Sequence, residues 1–380
     1  MARAGRCCAV VTRLVHGLCM VARSSMARAA LVALVVLVAG GALWHAFGNL
    51  DFAATARAVI RVGPLAPVAL VPFSLAMGLD AAAIRVLLGV LGRRVSLSGL
   101  FRIRIATEAL HVTAPAGFVV ADTATATLLA ARCGVPLGEG ALLAVARKWL
   151  VMRAHAAYVA LGAAAGATVL AAVSSRYLGG QWLPWAIGGS ALVPLALSVG
   201  LGAGFRGGPT LARLHTLVSR VPWRALRERI EPWRSAAVTC DGQLAQIGAA
   251  RSATWLAAAA FFGCWLLESL ETAIIMRLVG GPLDFGSAMA AEVGVSMLRS
   301  IGNVVPGGLG VQDAGYATLF PAMGLTTEAT AAFVLVKRGK ELVWIAIGYT
   351  LFAKLRRVDR PKKPSADEEL PAVSQAAPEM

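Results

Sequence analysis

Long apolar runs separated by short basic stretches make up most of the chain. Runs 29–50, 62–79, 154–175, 177–205 and 252–276 are each long enough to cross a bilayer as a helix, the last interrupted by Glu268 and Glu271. A further run, 329–353, has the length but carries Lys337, Arg338, Lys340 and Glu341 in its middle, which predicts a sixth, less regular crossing. The pattern predicts an all-α, polytopic helical membrane protein with one membrane domain over 29–353. Residues 1–28 hold Arg3, Arg6, Arg13, Arg23 and Arg28 without an acid and read, with the run after them, as a signal anchor whose basic N-terminal segment is cytoplasmic. Residues 354–380 are basic and then polar and Pro-rich, a disordered cytoplasmic tail.

Basic residues set the expected orientation, because Lys and Arg are retained in cytoplasmic loops. Arg85, Arg93, Arg94, Arg102 and Arg104 follow the second run, whereas only Arg57 and Arg61 follow the first. Arg147, Lys148 and Arg153 precede the third run, and Arg176 alone stands between the third and fourth. High and low counts alternate in this way to the end, so both termini are expected in the cytoplasm. Within 206–234, Arg213, Arg220, Arg224 and Arg227 recur at helical spacing beside Leu214, Leu217, Trp223 and Trp233. That reads either as an interfacial helix for anionic headgroups or as a solvated positive-inside loop.

Composition agrees with the pattern. Of 380 residues, 58% are hydrophobic and 15% charged, and the mean hydropathy is +0.70, which excludes a soluble enzyme with a charged skin. The net charge of +16 would suggest nucleic acid in a soluble protein. Here it is divided among short loops, and no nucleic-acid partner is expected. The six cysteines form no C-x-x-C pair and have no His cluster beside them, so they read as small apolar fillers, with no metal and no cofactor expected.

Two segments resemble each other. Residues 115–129 (PAGFVVADTATATLL) and 306–320 (PGGLGVQDAGYATLF) agree at seven of fifteen positions at a constant offset of 191 residues, including Pro115 with Pro306, Gly117 with Gly308 and Asp122 with Asp313. At the same offset Arg147 falls on Arg338. An odd number of crossings, three, separates the copies, which predicts two inverted repeats, each containing a broken or re-entrant helical segment. Pro lacks an N–H and Gly tolerates unusual dihedrals, so P-x-G interrupts a helix at membrane depth. The freed backbone groups must then lie against protein or a water-filled cavity. A helix starting after each break offers N–H groups and a dipole that favour an anion.

The candidate substrate pathway therefore comprises Pro115, Gly117, Asp122 and Arg147 in the first half. In the second it comprises Glu292, Arg299, Pro306, Gly307, Gly308, Gly310, Gln312, Asp313 and Arg338. For Asp122 and Asp313 the alternative is that each caps the helix after its break. Glu268 with Glu271, and Glu292 with Arg299, fall on shared helix faces and read most plainly as ion-pair members that offset their own burial. His111 reads as a hydrogen-bonded structural histidine rather than a proton relay.

The run 292–316, EVGVSMLRSIGNVVPGGLGVQDAGY, resembles the flippase-like membrane region of bacterial lysylphosphatidylglycerol synthases, and is closer still to the standalone branch associated with hopanoid biosynthesis. Members of that family usually have Glu where this chain has Asp313, and the first copy departs from their polar, Gly-rich version of the break. The resemblance implies an integral, multi-pass protein of the bacterial inner membrane that handles an anionic or hopanoid-like amphiphile and moves it between leaflets. The fused synthases also carry a soluble aminoacyl-transfer domain. The 27 residues after position 353 leave no room for one, so no enzyme activity is implied. No G-x-x-x-x-G-K-[ST] loop is present to bind ATP. The alternative function is a non-transporting accessory that scaffolds lipid-biosynthetic enzymes.

Overall fold

The computed structural model describes residues 50–114, 116–219, 234–302 and 310–357, with a few positions between 37 and 48. The basic N-terminal segment, most of run 29–50, the Arg220 to Trp233 part of the basic stretch and the C-terminal tail lie outside the described residues. Every regular element among the described residues is helical.

The first half comprises α1 (Phe52–Val62), a 3-10 turn (Gly63–Leu70), α2 (Val71–Val90), α3 (Leu97–Thr113), α4 (Gly117–Cys133) and α5 (Leu137–Ala165). A middle section follows: α6 (Ala167–Tyr177), α7 (Leu183–Ser190), α8 (Leu192–Gly207), α9 (Thr210–Ser219) and α10 (Arg234–Ala249). The chain closes with α11 (Arg251–Leu278), α12 (Phe285–Gly302), α13 (Val311–Ala322) and α14 (Thr327–Arg356).

By length and composition Phe52–Val90, Leu183–Arg206 and Arg251–Leu278 can each cross a membrane. The second expected run, 62–79, is thus the middle of a longer helical stretch, tightened to 3-10 geometry where Pro64 and Pro67 remove backbone donors. The third, 154–175, is not one straight span: α5 and α6 meet at Gly166 with a bend of 74°. The fourth begins later than expected, because a turn with Gly179 and Gly180 at positive φ precedes α7. The sixth run lies inside α14, whose 30 residues reach about 45 Å at 1.5 Å per residue. Thr326 caps α14 by accepting from the Ala329 N–H, and Lys354 and Arg356 close its last turn against the helix dipole.

The orientation count needs correction in the same places. Arg85, Arg102 and Arg104 sit within α2 and α3, and Arg147, Lys148 and Arg153 within α5, so none of them belongs to a loop. Arg104 is 3% exposed. Arg93 does lie between helices, where it forms a two-pronged pair with Glu139 at the start of α5, with contacts of 2.8 and 2.7 Å.

A helix, a second helix and a long third helix follow one another twice, as α3–α4–α5 and α12–α13–α14. The long helices end at Ala165 and Arg356, the same 191 residues apart as the matched motifs. The two arrays interlock: α2 packs on α11, α3 on α14, and α12 on α5. One apolar core (Leu87, Leu129, Leu143, Leu150) lies in the first array and a second (Ile275, Val295, Phe320, Phe333) in the last.

At the first break α3 ends on an extended Ala114, the conformation imposed on a residue before proline. Ala116 then takes a left-handed φ of 52° and turns the chain back into α4. The turn is so tight that a Cβ on Gly117 would lie 1.9 Å from the His111 carbonyl oxygen. Gly117→Ala is therefore expected to destabilise the protein by about 2 kcal/mol or more, read as a lowered melting temperature in detergent. Gly78→Ala, on an open face of α2, should leave that temperature unchanged.

Candidate functional site

Most of α2 is apolar, yet Asp80 sits in it at 3% exposure. A carboxylate in such surroundings is tolerated only when paired, and two arginines supply the pairing. Arg147 from α5 reaches it at 2.5 and 3.2 Å, and Arg104 from α3 at 3.2 Å. Arg104 also reaches Glu108 one turn along α3 and Thr107, at 3.2 Å each. Thr125 of α4 donates to the Thr107 hydroxyl at 3.1 Å, tying the helix after the break to the one before it.

The second array repeats the scheme with other residues. At an offset of 191 from Asp80 stands Glu271 on α11, also 3% exposed. It accepts from Lys340 at 2.6 Å and lies 3.9 Å from Lys337, both on α14. Lys337 donates to Glu292 at 3.0 Å, and Glu292 accepts further from the Tyr316 hydroxyl at 2.6 Å and from Thr272. Lys337 also lies over the Tyr316 and Phe333 rings, and Lys340 over Phe73, contacts that favour a desolvated cation.

Between the arrays lies a cavity of about 770 Å³. Asp80, Arg104, Glu108, Asp122, Arg147 and Lys148 line it from the first array, and Glu268, Glu271, Lys337, Lys340 and Glu341 from the second. Phe73, Met77, Val151, Phe261 and Trp265 supply apolar wall between them. The chamber is of the size that small amphipathic ligands occupy, with polar groups converging on an otherwise apolar lining.

Of the expected pathway residues, Gly117, Asp122, Arg147 and Gln312 line this cavity, as do Glu268 and Glu271, which the sequence suggested as ion-pair members. Glu292 is buried beside it, at 2% exposure, within the Lys337 cluster. Asp313 and Arg338 pair with each other at 2.9 Å, with Arg338 also on Glu341 at 2.5 Å, and neither is part of the cavity lining. Gly310, at φ 81°, forms the turn into α13. Arg299 belongs to α12, while Pro115, Pro306, Gly307 and Gly308 lie outside the described residues. His111, at the exposed end of α3, stands at the cavity edge.

The capping alternative divides the two aspartates. Asp313, third residue of α13, accepts from the Gly310 N–H at 3.1 Å and so caps the start of its own helix. Asp122 lies a turn and a half into α4, too far along to cap it, and faces Lys148 at 3.7 Å. The cations are thus exchanged between arrays. In the first, the arginine meets the buried α2 acid and the lysine meets the acid after the break. In the second, lysines meet the α11 acid and the arginine meets Asp313.

Asp80, Arg104, Glu108, Lys148, Lys337 and Lys340 were not among the expected pathway residues. A signal for the first was available: Asp80 is the only acid between Asp51 and Glu108 and falls on Glu271 at the repeat offset. Among the described residues no group of three or more His, Cys, Asp or Glu side chains could hold a metal ion.

Fold and site together define an all-helical, multi-pass membrane protein with a charged internal cavity between two interlocked helix arrays. The model of the lysylphosphatidylglycerol synthase TM region matches residues 30–348, and the chain belongs to that family. Membership makes it a membrane protein linked to lipid handling. Comparison with curated proteins gives no match.

The pairing predicts a double-mutant result. Lys340→Met leaves Glu271 with the longer Lys337 contact and should cost about 3 kcal/mol, as for other broken buried pairs. Adding Glu271→Gln should recover a large part of that loss, measured as melting temperature in detergent.

Proposed function

We propose that this protein is a lipid carrier of the inner membrane that passes a polar headgroup through the charged cavity while the tail stays in the bilayer. It is a transporter rather than an enzyme, with both termini cytoplasmic, and belongs with the hopanoid-associated branch of its family. The observation that carries this reading is the cavity between the arrays, lined from both sides by paired carboxylates and cations. Headgroup transfer through hydrocarbon is opposed by the cost of stripping water from charge. A lining of preformed opposite charges removes most of that cost.

The pair best suited to admit a headgroup is Asp122 with Lys148. Its contact of 3.7 Å is long and its side chains are 21% and 40% exposed, whereas Asp80 and Arg104 are 4% and 3% exposed. A ligand anion can replace Asp122 at Lys148 without exposing a buried charge. Lys148 also lies 5.2 Å over the Phe118 ring, beside the start of α4.

Alternating access follows from the repeat if the arrays are inverted. The bent α5–α6 pair, Leu183–Arg206 and Arg251–Leu278 stand between the two broken segments. Counted as one crossing each, the three would set the two motifs on opposite faces, the arrangement of transporters built from inverted repeats.

Two experiments test the reading. The purified protein is reconstituted into vesicles with labelled phosphatidylglycerol, hopanoid and polyprenyl-phosphate probes, with and without ion gradients. At least one probe should change leaflet, and Asp122→Asn with Lys148→Gln should slow it about tenfold, near 1.4 kcal/mol of barrier, with the melting temperature unchanged. If no probe moves under any gradient, the carrier reading fails and the scaffold reading replaces it. Topology is tested on a cysteine-free background with Arg94→Cys, before α3, and Pro282→Cys, before α12, both exposed. A membrane-impermeant maleimide should label the first from the cytoplasmic face and the second from the opposite face. Labelling of both from one side removes the inversion.

A further inference from the structure

Helices α3 and α14 belong to different arrays yet pack against each other. They approach closely at Gly348, where a Cβ would lie 2.6 Å from the Ala109 Cβ and 2.8 Å from the Ile105 carbonyl oxygen. The Thr113 and Tyr349 hydroxyls join the same two helices at 2.5 Å. A slot of about 40 Å³ lies between these helices, walled by Ile105, Ala109, Val112, Trp344, Ile345 and Phe73. Glu108, Lys340 and Glu341 also border it, and the same three residues line the large cavity. A charged chamber therefore continues into an apolar slot between the two arrays.

Trp344 stands at that junction. Its indole leans on Phe73, with ring centroids 5.0 Å apart. Its Nε1–H is buried and has no hydrogen-bond partner among the described residues. Buried donors are nearly always satisfied, so an unpaired one on a residue that lines a slot points to an acceptor brought by a ligand. Lys340 and Glu341 are themselves engaged with Glu271 and Arg338. Beyond the junction the outer side of α14 carries Leu342, Val343 and Ile347, all exposed, the surface expected against lipid chains.

We propose that Trp344 is a specificity-determining residue. It donates its indole N–H to an acyl-ester carbonyl of an amphiphile whose headgroup occupies the cavity and whose chain leaves through the slot between α3 and α14. An acyl ester sits between headgroup and chain, where charged lining gives way to apolar lining. A hydrocarbon tail attached without an ester offers nothing to this donor. The inference rests on the carrier reading and adds to it the chemical class of the tail linkage and the side on which the tail exits.

The test uses reconstituted full-length protein and two phosphatidylglycerol probes identical in headgroup and chain length, one ester-linked and one ether-linked. The wild type should move the ester lipid about fivefold faster, the effect of one buried hydrogen bond. Trp344→Phe should bring the ester rate down to the ether rate and leave the ether rate unchanged. Equal rates for the two lipids in the wild type overturn the inference and leave the carrier reading intact, and this comparison needs no variant to fold. Movement of a hopanoid or polyprenyl phosphate with no movement of either glycerolipid has the same consequence. No movement of any lipid overturns both.

Discussion

An ionised side chain inside a membrane bundle must find its counter-charge on another helix, and that requirement fixes how this chain packs. Asp80 on α2 is held by Arg104 of α3 and Arg147 of α5. Glu271 on α11 and Glu292 on α12 share the lysines of α14. Six helices are thereby locked in rotation and height, since a shift of one residue would turn a carboxylate toward lipid. Apolar packing cannot impose this by itself, because lipid chains are as apolar as the leucines and alanines that face them. The buried pairs contribute little net stability over a well-packed apolar core. What they contribute is register.

Register explains why the cavity exists. Where α2 and α11 pack together, each presents its acid toward the long helix of its own array, and the space between α5 and α14 is left lined by the backs of these pairs. Around that lining the degree of burial is graded. Asp80 with Arg104 and Glu271 with Lys340 are closed off, while Asp122 with Lys148 is half open. The closed pairs hold shape, and the open pair offers exchangeable contacts. A cavity with only closed pairs would be a rigid core, and one with only open pairs would not hold its helices in place.

How much of this was legible in the sequence depends on the range of the interaction. The first break was legible, because Pro and Gly act through their own backbone: α3 stops at Thr113, two residues before Pro115, and α4 begins at Gly117. The pairing of the two halves was legible through Asp122, Asp313, Arg147 and Arg338, since the offset that matches them also separates the ends of α5 and α14. Arg104, Arg147 and Lys148 were miscounted as loop charges, because a hydropathy window sees a charge and not the acid 24 or 67 residues away that neutralises it. The 74° bend at Gly166 was hidden in an alanine-rich run whose composition suits a straight helix equally well.

The two aspartates show why matched sequence does not guarantee matched roles. Asp122 and Asp313 occupy the same place in the repeat, but α13 begins three residues later relative to its motif than α4 does. That delay puts Asp313 in the first turn, where it meets both the Gly310 N–H and Arg338, and consumes it in holding the helix start. Asp122, further along its helix, makes a long contact to Lys148 and has access to the cavity. One copy of the motif thus serves the fold and the other faces the chamber. Two halves of nearly equal architecture therefore present unequal charge to the cavity between them.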